Sequence, residues 1–423
     1  MSASILNSNA SSALISSLDA VSTAKNPFVY SYASKATLGY SHIPAHARVV
    51  SVSQATSIGF NQRCLFSVLK SGMLENAFIK MTLTNGTGAV ADWSPSIGNM
   101  QIEEIQLLTQ GKVICSSKPF GRACLMSDAP YGRRINQEKC FGLTGAEDPL
   151  AVAGARTYYV PLGFAAFDCP ANFIDTNFTE PLSISVRLAA ANTYCSTRAD
   201  PSVAVACVLT TLELVQVFRM LPSELESKTI QENYSETDLV KVEWDLVEEE
   251  TQATPTAAVS RDFSHIITTN RVIQKLYVAL EDTDVAATTQ LNSSALGEYL
   301  ELSNIKVEAN GQAVIDYDAK FVGLCMGTDA GSSNSPNCVG GFDSSDYEHV
   351  KNIYCIDFGL LKGTDTISGA ISARELNNFK ITVTSSAATA LTATPHNLKV
   401  CMVCPQLNST SSASGKVSTS LSS

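Results

Sequence analysis

The chain has 423 residues, of which 16% are charged, and its 29 basic and 40 acidic residues give a formal net charge of −11. This length is sufficient for two or three domains with well-buried cores. The acidic balance makes the chain a poor candidate for wrapping nucleic acid, because phosphate binding relies on Lys and Arg. The low charge and the many Ser, Thr, Ala and Asn residues favour a surface that neighbouring subunits largely cover, and argue against an ordinary soluble enzyme.

Residues 1–47 are rich in Ser and Ala, and we interpret them as an N-terminal arm. Leu14, Ile15, Leu18 and Val21 are spaced like one face of a short helix. A disordered leader is the alternative interpretation. The sequence does not open with the basic and apolar stretches of a secretory signal. No apolar run approaches the ~20 residues that a transmembrane helix needs, so we expect no transmembrane segment.

Residues 48–218 are predicted to form a first β domain. Short runs of alternating apolar residues are separated there by turn signals such as Asn85-Gly86 and Gln110-Gly111. Two connections, at about 115–155 and 190–208, are longer than structureless loops usually are. We therefore expect these two loops to contribute to an interface between subunits.

Residues 219–240 differ in composition from the segments on either side. The run that begins at Pro222 carries acidic residues first and Lys228 later, an order typical of a short helix. We interpret this segment as a partly helical connector. Residues 241–406 are then predicted to form a second β domain, and residues 407–423 a flexible tail rich in Ser and Thr.

The second β domain repeats the first. Five blocks of alternating apolar residues recur in the same order, and their leading pairs are Ile79 and Leu276, Ile105 and Ile305, Tyr159 and Tyr354, Leu182 and Phe379, and Leu212 and Leu398. The first four pairs are 195 to 200 positions apart and the last is 186 apart, a shortfall explained if the loop at 190–208 is longer in the first copy. This collinearity predicts two similar β sandwiches in tandem. It also predicts that Ile79 and Leu276, and likewise Ile184 and Ile381, occupy equivalent buried positions.

Few residues form patterns that suggest metal binding. His42 and His46 have helical ligand spacing, but Pro44 between them breaks the helix. Cys401 and Cys404 resemble half of a zinc knuckle, yet residues three apart on a strand point to opposite faces. The twelve cysteines are irregularly spaced, and we interpret them as reduced, buried thiols.

The remaining candidate sites are also better explained as surface features. The acidic pairs Asp282/Asp284 and Asp316/Asp318 lack the Gly and Glu of a calcium loop. The Gly/Ser-rich run 327–341 lacks the Lys of a phosphate loop. One basic cluster remains, and it either lines a channel or symmetry axis or pairs with loop acids such as Asp128 and Glu138; its members are Arg122, Arg133 and Arg134. We therefore predict no catalytic, metal-binding or cofactor-binding residues, no cofactor and no enzymatic activity.

Four segments of the first domain carry a resemblance to a known family: 158–164 (YYVPLGF), 177–182 (NFTEPL), 184–187 (ISVR) and 74–79 (LENAFI). Over residues 48–406 the chain resembles the double jelly-roll major capsid proteins of icosahedral double-stranded DNA viruses, of the kind found in virophages, polinton-like viruses and large algal viruses. The second domain has Ile356 and Asn378-Phe379 where the first has Pro161 and Pro181-Leu182, so the resemblance there is one of topology.

The resemblance implies an all-β fold of two tandem, eight-stranded antiparallel jelly rolls. It implies a major capsid protein whose pseudo-hexagonal homotrimers tile a shell around a double-stranded DNA genome. The implied partners are neighbouring capsomers and minor capsid and penton proteins, with at most weak contact to the DNA. The implied location is the virion capsid, after assembly in the host cytoplasm or a virus factory. A carbohydrate-binding, lectin-like protein and a jelly-roll enzyme are the alternatives; the first needs an aromatic-rich face, and aromatic residues are only 7% of the chain.

Overall fold

The computed structural model describes residues 48–86, 91–94, 97–127, 154–164, 174–177, 179–197, 205–219, 239–253, 261–283, 299–319, 321–322, 352–358, 369–386, 395–410 and 417–421. In each half of the chain, one five-stranded and one four-stranded antiparallel sheet pack face to face around an apolar core. The predicted all-β class is therefore confirmed.

The first sandwich contains eight main strands in two sheets. Its first sheet has the order β1 (Arg48–Gln54), β11 (Cys207–Arg219), β3 (Met73–Asn85) and β7 (Ala155–Pro161), with β8 (Ile174–Asp175) paired to β3. Its second sheet has the order β2 (Arg63–Ser67), β9 (Leu182–Leu188), β5 (Ile102–Thr109) and β6 (Lys112–Ser117). Strand β4 (Ala91–Trp93) pairs with β10 (Cys195–Thr197) outside these sheets.

The described residues of the first sandwich include two helices, α1 (Ile97–Met100) before β5 and α2 (Pro119–Ser127) after β6. Apolar alternation along the strands produces the core, because successive side chains of a strand point to opposite faces. On β2, for example, Cys64 and Phe66 are fully buried while Leu65 between them is exposed.

The second sandwich has the same plan. Its first sheet has the order β12 (Leu239–Ala253), β21 (His396–Thr410), β15 (Lys275–Asp282) and β18 (Tyr354–Asp357). Its second sheet has the order β13 (Asp262–Ile266), β20 (Lys380–Ser385), β16 (Leu302–Ala309) and β17 (Gln312–Asp318). The short strands β14 (Val272–Ile273) and β19 (Ile371–Ser372) pair beside a 3-10 turn at Ala373–Glu375, and β22 (Val417–Leu421) pairs with β21.

The strand orders confirm the sequence repeat. Strands β1, β11, β3 and β7 correspond to β12, β21, β15 and β18, and strands β2, β9, β5 and β6 correspond to β13, β20, β16 and β17. Both predicted pairs lie on corresponding strands, and all four side chains are fully buried: Ile79 on β3 with Leu276 on β15, and Ile184 on β9 with Ile381 on β20.

The hairpins β5–β6 and β16–β17 repeat in detail. Gln110-Gly111 joins the first pair with φ angles of 47° and 80°, and Asn310-Gly311 joins the second with 55° and 76°. Positive φ at both central residues gives a turn whose twist matches the flanking strands, and Gly adopts it without strain. The register shift at Leu107/Leu108 recurs 200 positions later at Val307/Glu308. One separation of 200 positions therefore relates every residue of these hairpins.

Two of the predicted matches have the wrong register. Tyr159 is 40% exposed whereas Tyr354 is fully buried, so they cannot be equivalent. With Ile79 aligned to Leu276, the ladders align Tyr158 with Tyr354, because Tyr158 pairs with Met81 and Tyr354 with Val278.

The second error is a shift of two residues in the last block. The ladders place Leu212 opposite Met81 and Val400 opposite Val278, so Leu212 corresponds to Val400 rather than to Leu398. A shift of two residues along a strand preserves the face, so the buried pattern is the same in both alignments.

The ends of the predicted domains coincide only in part with described residues. The arm (1–47) lies outside them, as does the connector from 220 to 238. The tail predicted to be flexible, 407–423, contributes to a sheet instead: β21 continues to Thr410, and β22 pairs with residues 406–410. The sequence lacks an apolar stripe there, but ladder hydrogen bonds to a neighbouring strand come from the backbone and need none.

Candidate functional site

The two sandwiches meet through different faces. The first contributes its hairpin face, which we define as β6 and α2. The second contributes its sheet face, the outer side of β12, β21, β15 and β18. Side chains of that sheet face belong to the core cluster of the first sandwich; they are Leu246, Tyr277, Ala279, Cys355, Cys401 and Val403.

Helix α2 forms the centre of this junction. The ring of Phe120 meets that of Tyr299 edge to face, with ring centroids 5.7 Å apart. Gly121 lies so close to β12 that an added Cβ would be 2.7 Å from Glu248 Oε1 and 3.0 Å from Leu246 Cδ1. The glycine therefore permits this close approach, since an added Cβ would force the Glu248 and Leu246 side chains to shift.

Arg122 is buried inside the junction and is 2% exposed. Its Nε donates to Asn99 Oδ1 at 2.8 Å, and its terminal nitrogens donate to the backbone oxygens of Asn99 and Ser117 at 3.0 Å and of Ile102 at 2.5 Å. Burial lowers the pKa of Arg122 to about 9, so the guanidinium stays charged at neutral pH. It links α1, α2, β5 and the end of β6.

This position corrects both interpretations of the basic cluster. Arg122 neither lines a channel nor pairs with a loop acid; its acidic neighbour is Glu248 on β12 of the second sandwich. Arg133, Arg134, Asp128 and Glu138 lie outside the described residues. An isolated arginine after a strand carries no pattern that signals burial, since its acceptors come from segments up to 23 residues away.

Glu248 completes the polar part of the junction. Its Oε1 accepts a hydrogen bond from the backbone N–H of Lys118 at 3.1 Å, just before α2 begins. Burial raises the pKa of this carboxyl, while Lys118 and Arg122 act in the opposite direction. A second pair of opposite charges lies nearby, since Asp245 of β12 binds the backbone of Ser116 on β6 and pairs with Arg271 at 2.7 Å. The junction thus combines an apolar patch with two pairs of opposite charges that are largely buried.

The described cysteines are thiols rather than disulfides and are buried, as predicted, except Cys115, which is half-buried. Cys401 faces the first sandwich and contacts Cys124 of α2, whereas Cys404 belongs to the core of the second sandwich. The two therefore lie on opposite faces of β21, as the strand geometry predicts. Burial raises the pKa of the Cys124 thiol well above its ordinary value, and Cys195 and Cys207 form a second buried pair of thiols.

A polar cluster lies where β12 meets β13. His265 Nε2 is 2.7 Å from Glu249 Oε2, and His265 Nδ1 is 2.5 Å from Thr251 Oγ1. Glu249 also accepts hydrogen bonds from the backbone and hydroxyl of Thr268 and from the backbone of Thr269. Burial raises the pKa of Glu249, but these donors outweigh burial and the net pKa is lowered.

The same cluster borders an open groove of about 540 Å³. The hydroxyl of Thr251, the imidazole of His265 and the carboxylate of Glu249 follow one another in the order found in a hydrolase triad. In the alignment of the two sandwiches, His265 occupies the position of the buried Phe66 of the first sandwich, because Phe66 pairs with Ile184 and His265 with Ile381. The imidazole and Glu249 join the two sheets where Phe66 does so by apolar packing.

Among the described residues, the other candidates from the sequence form no common site. Asp316 accepts a hydrogen bond from Asn304 at 2.9 Å on an exposed strand, and Asp282 lies 3.9 Å from His396. His42, His46, Asp284 and residues 327–341 lie outside the described part of the chain. Within the described part, no group of three or more His, Cys, Asp and Glu residues is placed to bind a metal. No described helix is long and apolar enough to cross a membrane.

Apolar side chains are exposed on the two faces that the junction does not use. On the hairpin face of the second sandwich, Val314, Tyr317 and Phe321 are 52%, 42% and 46% exposed. On the sheet face of the first sandwich, the edge strand β1 exposes Val50 and Val52 by 61% and 50%. An edge strand with exposed apolar side chains is a ready site for association with another chain.

Comparisons with known proteins agree with this architecture. PBCV-1 VP54, fitted into a reconstruction of the virophage Sputnik, superposes with a TM-score of 0.66 at 13% identity, over 89% of this chain and 97% of that one. The Faustovirus major capsid protein gives 0.65 at 11% identity, over 85% and 90% of the two chains. The mavirus major capsid protein gives 0.54 at 10% identity, over 90% and 91%. The chain has the double jelly-roll fold of viral major capsid proteins. No family model and no curated protein matches the sequence.

The junction and the polar cluster can both be located in the jelly-roll strand order. The junction joins β6 and α2 of the first jelly roll to the sheet face of the second. The polar cluster links the two sheets of the second jelly roll where β12 meets β13. The predicted loop at 115–155 begins within the junction, because residues 119–127 form α2. The first part of that loop therefore holds the two jelly rolls of one chain together.

Proposed function

We propose that the chain is a major capsid protein of an icosahedral virus. The observation that carries this proposal is the extent of the structural similarity: 97% of PBCV-1 VP54 is matched by 89% of this chain, so the similarity spans both jelly rolls and their arrangement. A shared fold alone does not establish function. The low charge and the exposed apolar faces supply the second argument, since both suit a protein whose surface is covered by copies of itself.

The assembly unit in this proposal is a homotrimer with a pseudo-hexagonal outline. Two similar jelly rolls per chain give six similar sides per trimer, and six-sided units can tile a flat facet. The trimers form a shell around a double-stranded DNA genome, together with minor capsid and penton proteins, in the virion of a virus assembled inside its host cell. The chain has a structural role and no enzymatic one.

The regions outside the described residues have roles in the same proposal. The arm (1–47) lies at the base of the trimer and docks on a neighbouring subunit or a minor protein, because its short apolar face needs a partner to become ordered. Any contact of this arm with DNA is weak and sensitive to salt. The loops at 115–155 and 190–208 add to the contact between subunits.

Light scattering and negative-stain electron microscopy of the purified chain test the proposal. We expect particles of three chains, each of 45.0 kDa, with a six-sided outline, and shells or sheets of these particles at higher concentration. An obligate interface of this kind buries more than about 2,000 Å², so the trimer should persist at micromolar concentration. A chain that remains monomeric at that concentration and forms no ordered assemblies would overturn the proposal.

A further inference from the structure

The connection between β9 and β11 of the first jelly roll holds two cysteines whose thiols meet. Residues 189–206 form this connection, whereas residues 386–395 suffice to join the corresponding strands β20 and β21 of the second jelly roll. Cys195 lies on β10 within the longer connection, and Cys207 is the first residue of β11. The extra length therefore folds one cysteine back beside the other.

Backbone hydrogen bonds fix the positions of the two cysteines. Cys195 lies opposite Trp93 of β4, and its carbonyl oxygen accepts a hydrogen bond from the N–H of Val205 at 3.1 Å. Cys207 donates to the carbonyl oxygen of Ala191 from its N–H at 2.9 Å and from its thiol at 3.2 Å. The Cys195 thiol donates a hydrogen bond to the Cys207 sulfur, and the two residues are 0% and 3% exposed. Sulfur atoms already in contact need little movement to reach the ~2 Å bond length of a disulfide.

This pair of thiols lies next to exposed chain, unlike the pair in the junction. The residues on either side of Cys207, Ala206 and Val208, are both exposed. Cys124 and Cys401 meet instead between the two jelly rolls, and the residues on either side of Cys401 are fully buried. A small oxidant can reach Cys207 through a local opening of the connection, whereas it can reach Cys401 only if the two jelly rolls separate.

The hydrogen bond between the two thiols makes them chemically unequal. It lowers the pKa of Cys207 below its ordinary value of 9.0, because it stabilises the Cys207 thiolate and outweighs the effect of burial. The same hydrogen bond, together with burial, raises the pKa of Cys195. The thiolate is the nucleophile in thiol–disulfide exchange, so Cys207 reacts first and Cys195 second.

We propose that Cys195 and Cys207 form a modification site, at which a low-molecular-weight disulfide of the glutathione class oxidises the two thiols to an intramolecular disulfide. The Cys207 thiolate attacks one sulfur of the small disulfide, which gives a mixed disulfide and releases a small thiolate. That thiolate takes the proton of Cys195, and the Cys195 thiolate attacks the Cys207 sulfur. The second small thiolate leaves and takes up the proton that Cys207 had lost to solvent. Two electrons thus pass from the protein thiols to the small disulfide, which is reduced to two thiols.

The second jelly roll has a different residue at the position of Cys207. Cys207 lies opposite Asn85 of β3, and His396 lies opposite Asp282 of β15. Asn85 and Asp282 are 197 positions apart, as are the matched residues Ile79 and Leu276. His396 therefore replaces Cys207, and the disulfide fixes the connection of the first jelly roll alone.

The surroundings of the protein decide when this disulfide forms. The interior of a cell keeps thiols reduced, whereas the extracellular medium allows disulfides to persist. If the chain is a capsid protein, it is made in the reducing interior, and the disulfide forms after the particle leaves the cell. This timing rests on the proposed function, but the disulfide itself does not.

Mass spectrometry of the purified full chain tests the assignment. The reduced chain is incubated in its native state with excess oxidised glutathione, the oxidant is removed, and the remaining thiols are alkylated in denaturant. Trypsin cuts after Arg198 and Arg219, so the two cysteines lie on separate peptides that only the disulfide joins. We expect this joined pair of peptides with the loss of two hydrogen atoms, and we expect Cys124 and Cys401 to be alkylated.

Serine variants test the order of attack and the effect on stability. Cys195→Ser keeps the attacking thiol, so it should accumulate the mixed disulfide of Cys207 with glutathione. Cys207→Ser removes that thiol, and Cys195 should then react at least about 10-fold more slowly. Oxidation of the wild type should raise its Tm by about 3 °C, and neither variant should show this rise.

The wild-type measurement decides the inference even if a variant fails to fold. A wild type whose Cys195 and Cys207 are both alkylated after incubation with oxidised glutathione would overturn it. Oxidation of Cys124 and Cys401 as readily as of Cys195 and Cys207 would also overturn it, because local access would then play no part. The proposed capsid function would stand in both cases, since light scattering measures the trimer independently of these thiols.

Discussion

Arg122 in the first jelly roll and Val322 in the second occupy the same position of the helical turn that follows a β hairpin, and both side chains are buried. Arg122 donates hydrogen bonds to oxygen atoms of Asn99, Ile102 and Ser117 and lies near Glu248, whereas Val322 contributes to an apolar cluster. The same backbone arrangement therefore accommodates either a buried arginine or a buried valine, provided that the polar groups of the arginine are hydrogen-bonded. The polar version occurs where a second jelly roll covers the turn.

The largest expected effect comes from removing this arginine. Arg122→Met keeps the volume but leaves buried backbone oxygens without donors and removes one of the two cations, Lys118 and Arg122, near Glu248. We expect the free energy of unfolding to fall by about 3–5 kcal/mol, as measured by urea denaturation. Val322→Ala at the matched position removes only apolar contacts and should cost about 2 kcal/mol. If Arg122→Met costs no more than Val322→Ala, the arginine does not hold the junction together.

The two jelly rolls also differ where the edges of their two sheets meet, because Phe66 of the first corresponds to His265 of the second. Glu249→Gln should lower the free energy of unfolding by about 1.5 kcal/mol at pH 7, because charged hydrogen bonds to His265 and Thr268 are weakened. The pKa of Glu249 is lowered by folding from its ordinary value of 4.5. Its stabilising contribution is therefore full above pH 4.5 and is lost as the pH falls through the lower value of the folded state.

The wild type and Glu249→Gln should consequently become equally stable as the pH decreases from 4.5, which thermal unfolding at several pH values would show. Glu250→Gln is the matched control, since the neighbouring Glu250 is exposed. If Glu249→Gln is destabilised as much at pH 3 as at pH 7, then the ionised Glu249 carboxylate is not the source of the stabilisation.

A third difference concerns the two tyrosines that the sequence pattern paired. Tyr354 is buried, and its hydroxyl accepts a hydrogen bond from the backbone N–H of Leu302 at 3.1 Å. Tyr354→Phe leaves that N–H without an acceptor and should cost about 1–2 kcal/mol. Tyr159→Phe on the exposed face should change the free energy of unfolding of the monomer by less than about 0.5 kcal/mol. If urea denaturation shows that both variants lose the same free energy of unfolding, Tyr159 and Tyr354 are equivalent, as the sequence pattern predicted.

The sequence predicts the repeated β architecture because alternation and turn signals are local properties. Gln110-Gly111 and Asn310-Gly311 mark the same turn, and Ile184 and Ile381 the same buried position. Alternation alone could not choose between Tyr158 and Tyr159, which are adjacent and of the same type. It could not detect the two-residue shift in the last block either, because that shift leaves every side chain on the same face.

The junction could not be predicted in the same way. Arg122 is buried by Asn99, Ile102 and Glu248, and only folding brings these residues around it. His265 gives no local signal of a seam, since its partner Glu249 is 16 residues away on another sheet. Residues that act through tertiary partners require the fold to be known first.

The sheet formed by β12, β21, β15 and β18 belongs to two cores at once. Along β15, Leu276, Val278 and Leu280 enter the core of the second jelly roll, while Tyr277 and Ala279 enter that of the first. Opening either jelly roll would therefore expose apolar side chains of the other to water. The chain should melt as one cooperative unit, and the amide hydrogens of β15 and β21 should exchange with solvent only when the whole chain unfolds.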